Sequence, residues 1–202
     1  MRKRCSVPMI ALCLLLCGCG AEEETAETLR QIHRETAGCE MVAEISCSAG
    51  DLLWEGTLRC DYQAAGESTV EVIAPEIIAG VKAIVGEDLS FVYEDQIFNV
   101  APLSREELTP ADCLPRMMSA LREGWLLEEN RETWHETECI RFTVDQSGKE
   151  TKIFTTLWLR LSDGIPLRGE TAVGEETIFA VEFTEFSFYD MIDHQEETSS
   201  GK

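Results

Sequence analysis

The chain has 202 residues, 44% of them apolar, and its 38 acids against 17 Lys and Arg give a formal net charge of −21. That length fits a single domain. So acidic a surface repels phosphate backbones, which excludes nucleic acid as a partner.

The first residues, Met1-Arg2-Lys3-Arg4, are basic, and an apolar run from Val7 to Cys17 with Leu12, Leu14, Leu15 and Leu16 follows before Gly18 and Cys19. A basic head, a short apolar run and a small residue at the cleavage point make a secretory signal peptide. Eleven residues are too few for a spanning helix, which needs about 20. The stretch Leu16-Cys17-Gly18-Cys19 resembles the bacterial lipobox, with Cys17 standing where Ala or Ser is usual. The resemblance implies cleavage before Cys19 and attachment of palmitate-type acyl chains to it. The expected location is therefore the extracytoplasmic face of a cell membrane, held by a lipid anchor. Loss of residues 1–18, which carry Arg2, Lys3 and Arg4 and no acid, takes the net charge from −21 to −24.

Residues 19–27, rich in Glu, read as a lipidated terminus and tether, and the domain proper is expected over 28–190, with a polar tail at 191–202. A helix begins the domain, with Leu29, Ile32 and Thr36 at helical spacing and Gly38 as its C-cap. The period then changes to two. Met41, Ala43, Ile45 and Cys47 alternate with polar positions, and after a turn at Ala49-Gly50-Asp51 so do Trp54, Gly56, Leu58, Cys60 and Tyr62. The pair reads as a hairpin with one wet face. Further strands are expected at Ser68–Ala74, ended by Pro75, then at Val81–Val85, Leu89–Tyr93 and Gln96–Val100.

A second helix lies between Thr109 and Gly124, starting at Pro110 or, capped by Asp112, at Pro115. Its apolar stripe is Leu114, Met117, Met118, Leu121 and Trp125. Five strands follow, at about Leu126–Thr133, Glu138–Asp145, Lys152–Leu161, Ile165–Val173 and Ile178–Phe188. In the last, the apolar phase slips between Phe183 and Phe186, which predicts a bulge near Thr184. The fold class is α+β, mostly β: ten or eleven antiparallel strands that must curl to bury an apolar face, with two helices to cover the open side.

Three stretches carry a resemblance to a known superfamily: Pro75-Glu76-Ile77-Ile78-Ala79-Gly80-Val81 leading into Leu89–Tyr93, Leu157-Trp158-Leu159 into Asp163-Gly164-Ile165-Pro166, and Phe183-Thr184-Glu185-Phe186. With the element order they resemble the LolA/LolB-like lipoprotein carriers and uncharacterised lipoproteins related to them. The resemblance implies a half-open antiparallel barrel closed by helices, used either to carry acyl chains or, in receptor-like relatives, to sense the envelope.

Candidate chemistry is sparse. His33, His135 and His194 are scattered, and neither HExxH nor GxSxG, GxGxxG or a phosphate loop occurs. Glu128-Glu129 and Glu175-Glu176 sit in turn-like segments as solvated charge, and Gly86-Glu87-Asp88 and Glu94-Asp95 lack the ligand spacing of a calcium loop. Cys39, Cys47, Cys60, Cys113 and Cys139 are odd in number and match no zinc pattern; they read mainly as small buried hydrophobes, with a Cys39–Cys60 disulfide as an alternative. No catalytic residue, metal or cofactor is expected. The ligand-cavity candidates are Trp54, Leu58, Val70, Val72, Met117, Met118, Leu157, Leu159, Phe179 and Phe183. They either line a cavity for a lipid or other apolar ligand or fill a core. The first alternative makes a membrane-anchored lipid-binding protein, and the second an envelope sensor or interaction module whose acidic surface docks a partner protein.

Overall fold

The computed structural model describes residues 24–50, 52–94, 96–99, 108–149 and 151–189. Helix α1 (Ala26–Glu35) precedes strands β1 (Gly38–Ala49), β2 (Leu52–Gln63), β3 (Ser68–Ala74), β4 (Lys82–Val85), β5 (Leu89–Tyr93) and β6 (Gln96–Asn99). Helix α2 (Cys113–Glu123) leads into β7 (Trp125–Trp134), β8 (Thr137–Asp145), β9 (Ile153–Arg160), β10 (Pro166–Val173) and β11 (Glu176–Phe188).

All eleven strands form one antiparallel sheet in the order β6-β5-β4-β3-β2-β1-β11-β10-β9-β8-β7. The first and last strands therefore meet in the middle. The two edges, β6 and β7, are consecutive in the chain, and the connection between them carries α2, whose buried face packs with β2, β8 and β9. The sheet is not closed by β6–β7 pairing. This is a half-open antiparallel barrel whose open side is covered by helix, as expected.

The period-two pattern decides which face is inside. Met41, Ala43 and Ile45 of β1, Leu58 and Cys60 of β2, Phe142 and Val144 of β8, Leu157 and Leu159 of β9, and Phe179 and Val181 of β11 are buried in one cluster with Leu29 of α1 and Leu114, Met117, Met118 and Leu121 of α2. In β11 the register pairs Val42 with Glu185 but Ala43 with Phe183, so Thr184 is the extra residue. That bulge, expected from the slip in phase, returns Phe186 and Phe188 to the inner face, where both pack edge-on against His33.

Several boundaries differ from expectation, for local reasons. Helix α1 begins at Ala26, inside the stretch read as tether, because the Thr25 side chain caps it by accepting from the Thr28 N–H at 3.2 Å. Gly38 is the first residue of β1 and not a C-cap; the helix ends at Thr36, which turns extended while its hydroxyl donates to the His33 carbonyl. Helix α2 starts at Cys113, between the two starts expected. Pro115 then falls in the first turn, where its missing N–H breaks no ladder bond. Asp112 stands at the N-cap but accepts from the N–H and hydroxyl of Thr109 and pairs with Arg116 instead of capping the helix. Trp125, read as part of the α2 stripe, is the first residue of β7 and lies in solvent, because Gly124 ends the helix one residue too soon. His194 and the polar tail lie outside the described residues.

Candidate functional site

Two places in this fold have the makings of a site: the interior under α2, and the outer face of the sheet across its centre. The interior is held by reciprocal capping of the two helices. Carbonyls in the last turn of a helix have no partner within it. Here Arg30 donates to the carbonyls of Leu121 at 2.7 Å and Gly124 at 2.6 Å, and Arg34 to that of Arg122 at 2.8 Å. In return Arg122 donates to the carbonyls of His33, Arg34 and Thr36. Each cation also sits at the negative end of the other helix. Glu27 pairs with both Arg30 and Arg34, and these guanidinium groups hold its carboxyl below the usual range.

Beneath this lock the ten cavity candidates come together. Leu58, Val70, Met117, Met118, Leu157, Leu159 and Phe179 are fully buried in the common cluster, and Trp54, Val72 and Phe183 pack half-buried against it. Met117 lies so close to Gly169 of β10 that a Cβ there would collide with its sulfur. Trp54 likewise folds its ring over Gly56. Where α1, α2, β1 and β2 meet, lined by His33, Thr36, Cys39, Tyr62, Met118 and Arg122, a cavity of about 10 Å³ remains. That is room for one water at most, whereas small-molecule sites run to about 300–1,000 Å³.

Its titratable groups are held neutral. Burial pushes His33 down to about 4, helped by the charge of Arg122, against the opposing hydrogen bond between Nε2 and the Gly164 carbonyl at 2.8 Å. Desolvation raises the Cys39 thiol to about 12 and those of Cys60 and Cys113 well above their ordinary value. All five described cysteines are free, so the alternative Cys39–Cys60 disulfide is not formed. Register explains why: Cys39 stands opposite Tyr62, and Cys60 opposite Met41. Thiols this protonated are poor nucleophiles.

The outer face is polar by the same alternation. One cross-strand row runs Thr57, Glu44, Glu182, Arg168, Trp158, Arg141 over β2, β1, β11, β10, β9 and β8. Arg168 lies over Trp134 at 4.7 Å and Trp158 at 5.5 Å, a cation–π arrangement. It is oriented by Glu170 at 2.6 Å and Glu182 at 3.2 Å, and Trp158 Nε1 donates to Glu132. Beside it is a groove of about 440 Å³, lined by Glu44, Ser46, Glu55, Thr57, Pro75 and Glu182 among others. Register sets Glu44 directly opposite Glu182, a like-charge pairing that costs stability. Arg168 compensates Glu182. Among the described residues no cation pairs with Glu44 or Glu55.

Sequence reasoning missed this face. The row was hidden because it consists of the polar positions of six strands, and only the register aligns them. Glu175 and Glu176 are exposed at the β10–β11 turn as expected, whereas Glu128 and Glu129, expected as solvated charge by a turn, lie within β7, where Glu128 pairs with Arg141 and Glu129 accepts from the Ala26 N–H. His135 is exposed in the β7–β8 turn, against Trp134. Among the described residues no three His, Cys, Asp or Glu side chains gather as metal ligands would.

No protein-family profile matches the chain, and no curated protein matches it in sequence. Solved structures share its fold. It is similar to an uncharacterised conserved protein from Thermus thermophilus, at 12% identity and TM-score 0.50, over 84% of this chain and 89% of that one. It is also similar to a LolA superfamily protein from Nitrosomonas europaea (13%, TM-score 0.42, 84% and 96%). A third is MucB in the Pseudomonas aeruginosa MucA/MucB complex (10%, TM-score 0.43, 82% and 56%). At these identities the likeness is one of fold.

Proposed function

We propose that this chain is a non-catalytic interaction module of the bacterial envelope, anchored at the extracytoplasmic face of a membrane through acylated Cys19, which binds a partner protein on its outer face. The packed interior carries this reading. Side chains of the protein already occupy the volume in which a half-barrel carrier would place its cargo. Recognition then falls to the outer surface, where the groove presents Glu44, Glu55 and Glu182 against the single cation Arg168, itself paired with Glu170 and Glu182, an acidic lining suited to Lys or Arg side chains of a partner.

A second reading, a carrier whose α2 lifts to admit an acyl chain, has one specific observation in its favour. The plug consists of flexible side chains, Met117 and Met118 with Leu114 and Leu121, and Met in particular adapts to irregular gaps. Exposing those four costs about 8 kcal/mol at roughly 2 kcal/mol each. An acyl chain of about 15 methylenes regains about 12 kcal/mol. Against water the gain exceeds the cost by about 4 kcal/mol, so the opening is accessible to a chain taken from water and the two readings separate by experiment.

Native mass spectrometry of the mature domain, isolated from a bacterial envelope, makes the separation. The interaction reading expects the bare protein mass and a melting temperature unchanged by added phospholipid. A stoichiometric lipid adduct that disappears in Phe183→Asp would replace it with the carrier reading. In the other direction, the charge reversal Glu44→Lys with Glu55→Lys is expected to abolish capture of the partner while leaving the melting temperature unchanged.

A further inference from the structure

Helix α1 takes no part in the sheet. Thr36, in extended conformation, joins it to β1, and the next residue is pinned, because the Ala37 carbonyl accepts from the Ala64 N–H at 2.9 Å. The buried apolar side chains of α1 are Ala26 and Leu29, with Ile32 partly covered. Its polar ties are the exchange of Arg30, Arg34 and Arg122 with α2 and the contacts of its first turn with Glu129 and Arg131 of β7. An element held by so few apolar contacts opens at lower cost than strands paired on both sides.

His33 stands at the centre of this clasp. Its carbonyl accepts from Arg122, and its Nε2 meets the Gly164 carbonyl at 2.8 Å. A carbonyl only accepts, so Nε2 carries the proton of the neutral ring and a second proton goes to Nδ1. The groups around that charge are Arg122 on α2, the thiol of Cys39 on β1 and the phenol of Tyr62 on β2, which line one small cavity with His33. Strand β11 contributes the rings of Phe186 and Phe188. Beside Gly164, Asp163 is engaged by Arg160 and the Ile165 N–H, and on α1 itself Glu27 is paired with Arg30 and Arg34. None of these carboxylates is left to balance an imidazolium next to Arg122.

We propose that α1 is an acid-released clasp: protonation of His33 undocks the helix about Thr36 while the eleven-strand sheet stays folded, uncovering Cys39, Tyr62 and Met118 beneath it. Undocking returns the ring to water, where it takes up a proton at 6.5, against about 4 when docked. The undocked state therefore binds more protons below pH 6.5, and its population rises by about tenfold per unit, about sixty-fold in all between pH 7 and 4.5. Glu27, whose carboxyl the two guanidinium groups hold below its ordinary 4.5, adds its own loss of docking only beneath that value. The two contributions thus fall in different pH windows.

Thiol accessibility tells local undocking from global unfolding. The mature full-length protein is treated between pH 7 and 4.5 with a dipyridyl disulfide reagent, which labels thiols in acid as well as at neutrality. Glutathione serves as the rate reference at each pH, and peptide mass spectrometry locates the label. Cys39 is expected to be labelled ahead of Cys47, near the other end of β1, and of Cys139, on the outer face of β8. Its rate relative to glutathione is expected to climb about sixty-fold from pH 7 to 4.5. His33→Gln keeps an N–H for the Gly164 carbonyl and is expected to flatten that climb. A flat Cys39 rate in the unmodified protein, or three cysteines labelled at one rate, overturns the clasp. So does a climb confined to pH below about 4.5, which belongs to carboxylates, or one that persists in His33→Gln. The profile of the unmodified protein decides by itself if His33→Gln does not fold.

Discussion

His33 ties the fold to pH in a way that can be measured against a calculated slope. Its imidazole is buried between α1, the Gly164 turn and the rings of Phe186 and Phe188, and burial lowers its pKa from 6.5 to about 4. The folded protein therefore resists a proton that the unfolded chain accepts. Between pH 6.5 and 4 the unfolded state binds more protons, so stability is complete above about 6.5 and falls as pH drops toward 4. The calculated loss from pH 7 to pH 4.5 is about 2.5 kcal/mol. Urea denaturation at pH 7, 6, 5 and 4.5, with His33→Gln in parallel, isolates it, because the many carboxylates titrate alike in both proteins. His33→Gln is expected to be the less stable protein at pH 7, where it loses the ring packing, and to close the gap by about 2.5 kcal/mol at pH 4.5. A gap that stays constant across this range refutes the assignment of a neutral, buried imidazole.

Arg30→Met removes three charge-assisted bonds, one of them to the exposed Glu27, and leaves the Leu121 and Gly124 carbonyls unpaired, so the urea midpoint is expected to fall by the equivalent of about 3 kcal/mol. Arg30→Lys recovers little of this, because one ammonium does not span both carbonyls as the guanidinium fork does. Gly169→Val drives a side chain into Met117 and is expected to cost about 1–3 kcal/mol, read as a lower melting temperature, while Met117→Ala in the same background relieves part of it. Cys39, Cys47, Cys60, Cys113 and Cys139 are buried and free. They are expected to resist a thiol reagent at pH 8 in the folded protein and to react stoichiometrically in urea; rapid labelling of the native protein would contradict their protonated state.

Much of the strand pattern was legible because burial acts on alternate residues. Met41, Ala43, Ile45 and Cys47 announce the inner face of β1, and the slip between Phe183 and Phe186 announces the bulge at Thr184. Helix ends were less legible. Thr25 against Gly38, or Gly124 before Trp125, are choices between competing local bonds that differ by about 1 kcal/mol, and neighbours in space decide them.

The acidity, the mostly-β architecture with two helices and the residues of the core could be read from the order of the amino acids. These are properties of single residues and of short-range period. Whether the candidate cavity is empty or full was not readable in that way, because Met117 and Gly169 are 52 residues apart and periodicity carries no information about the volume between them. Strand register alone sets Glu44 opposite Glu182 and Arg168 beside Trp158.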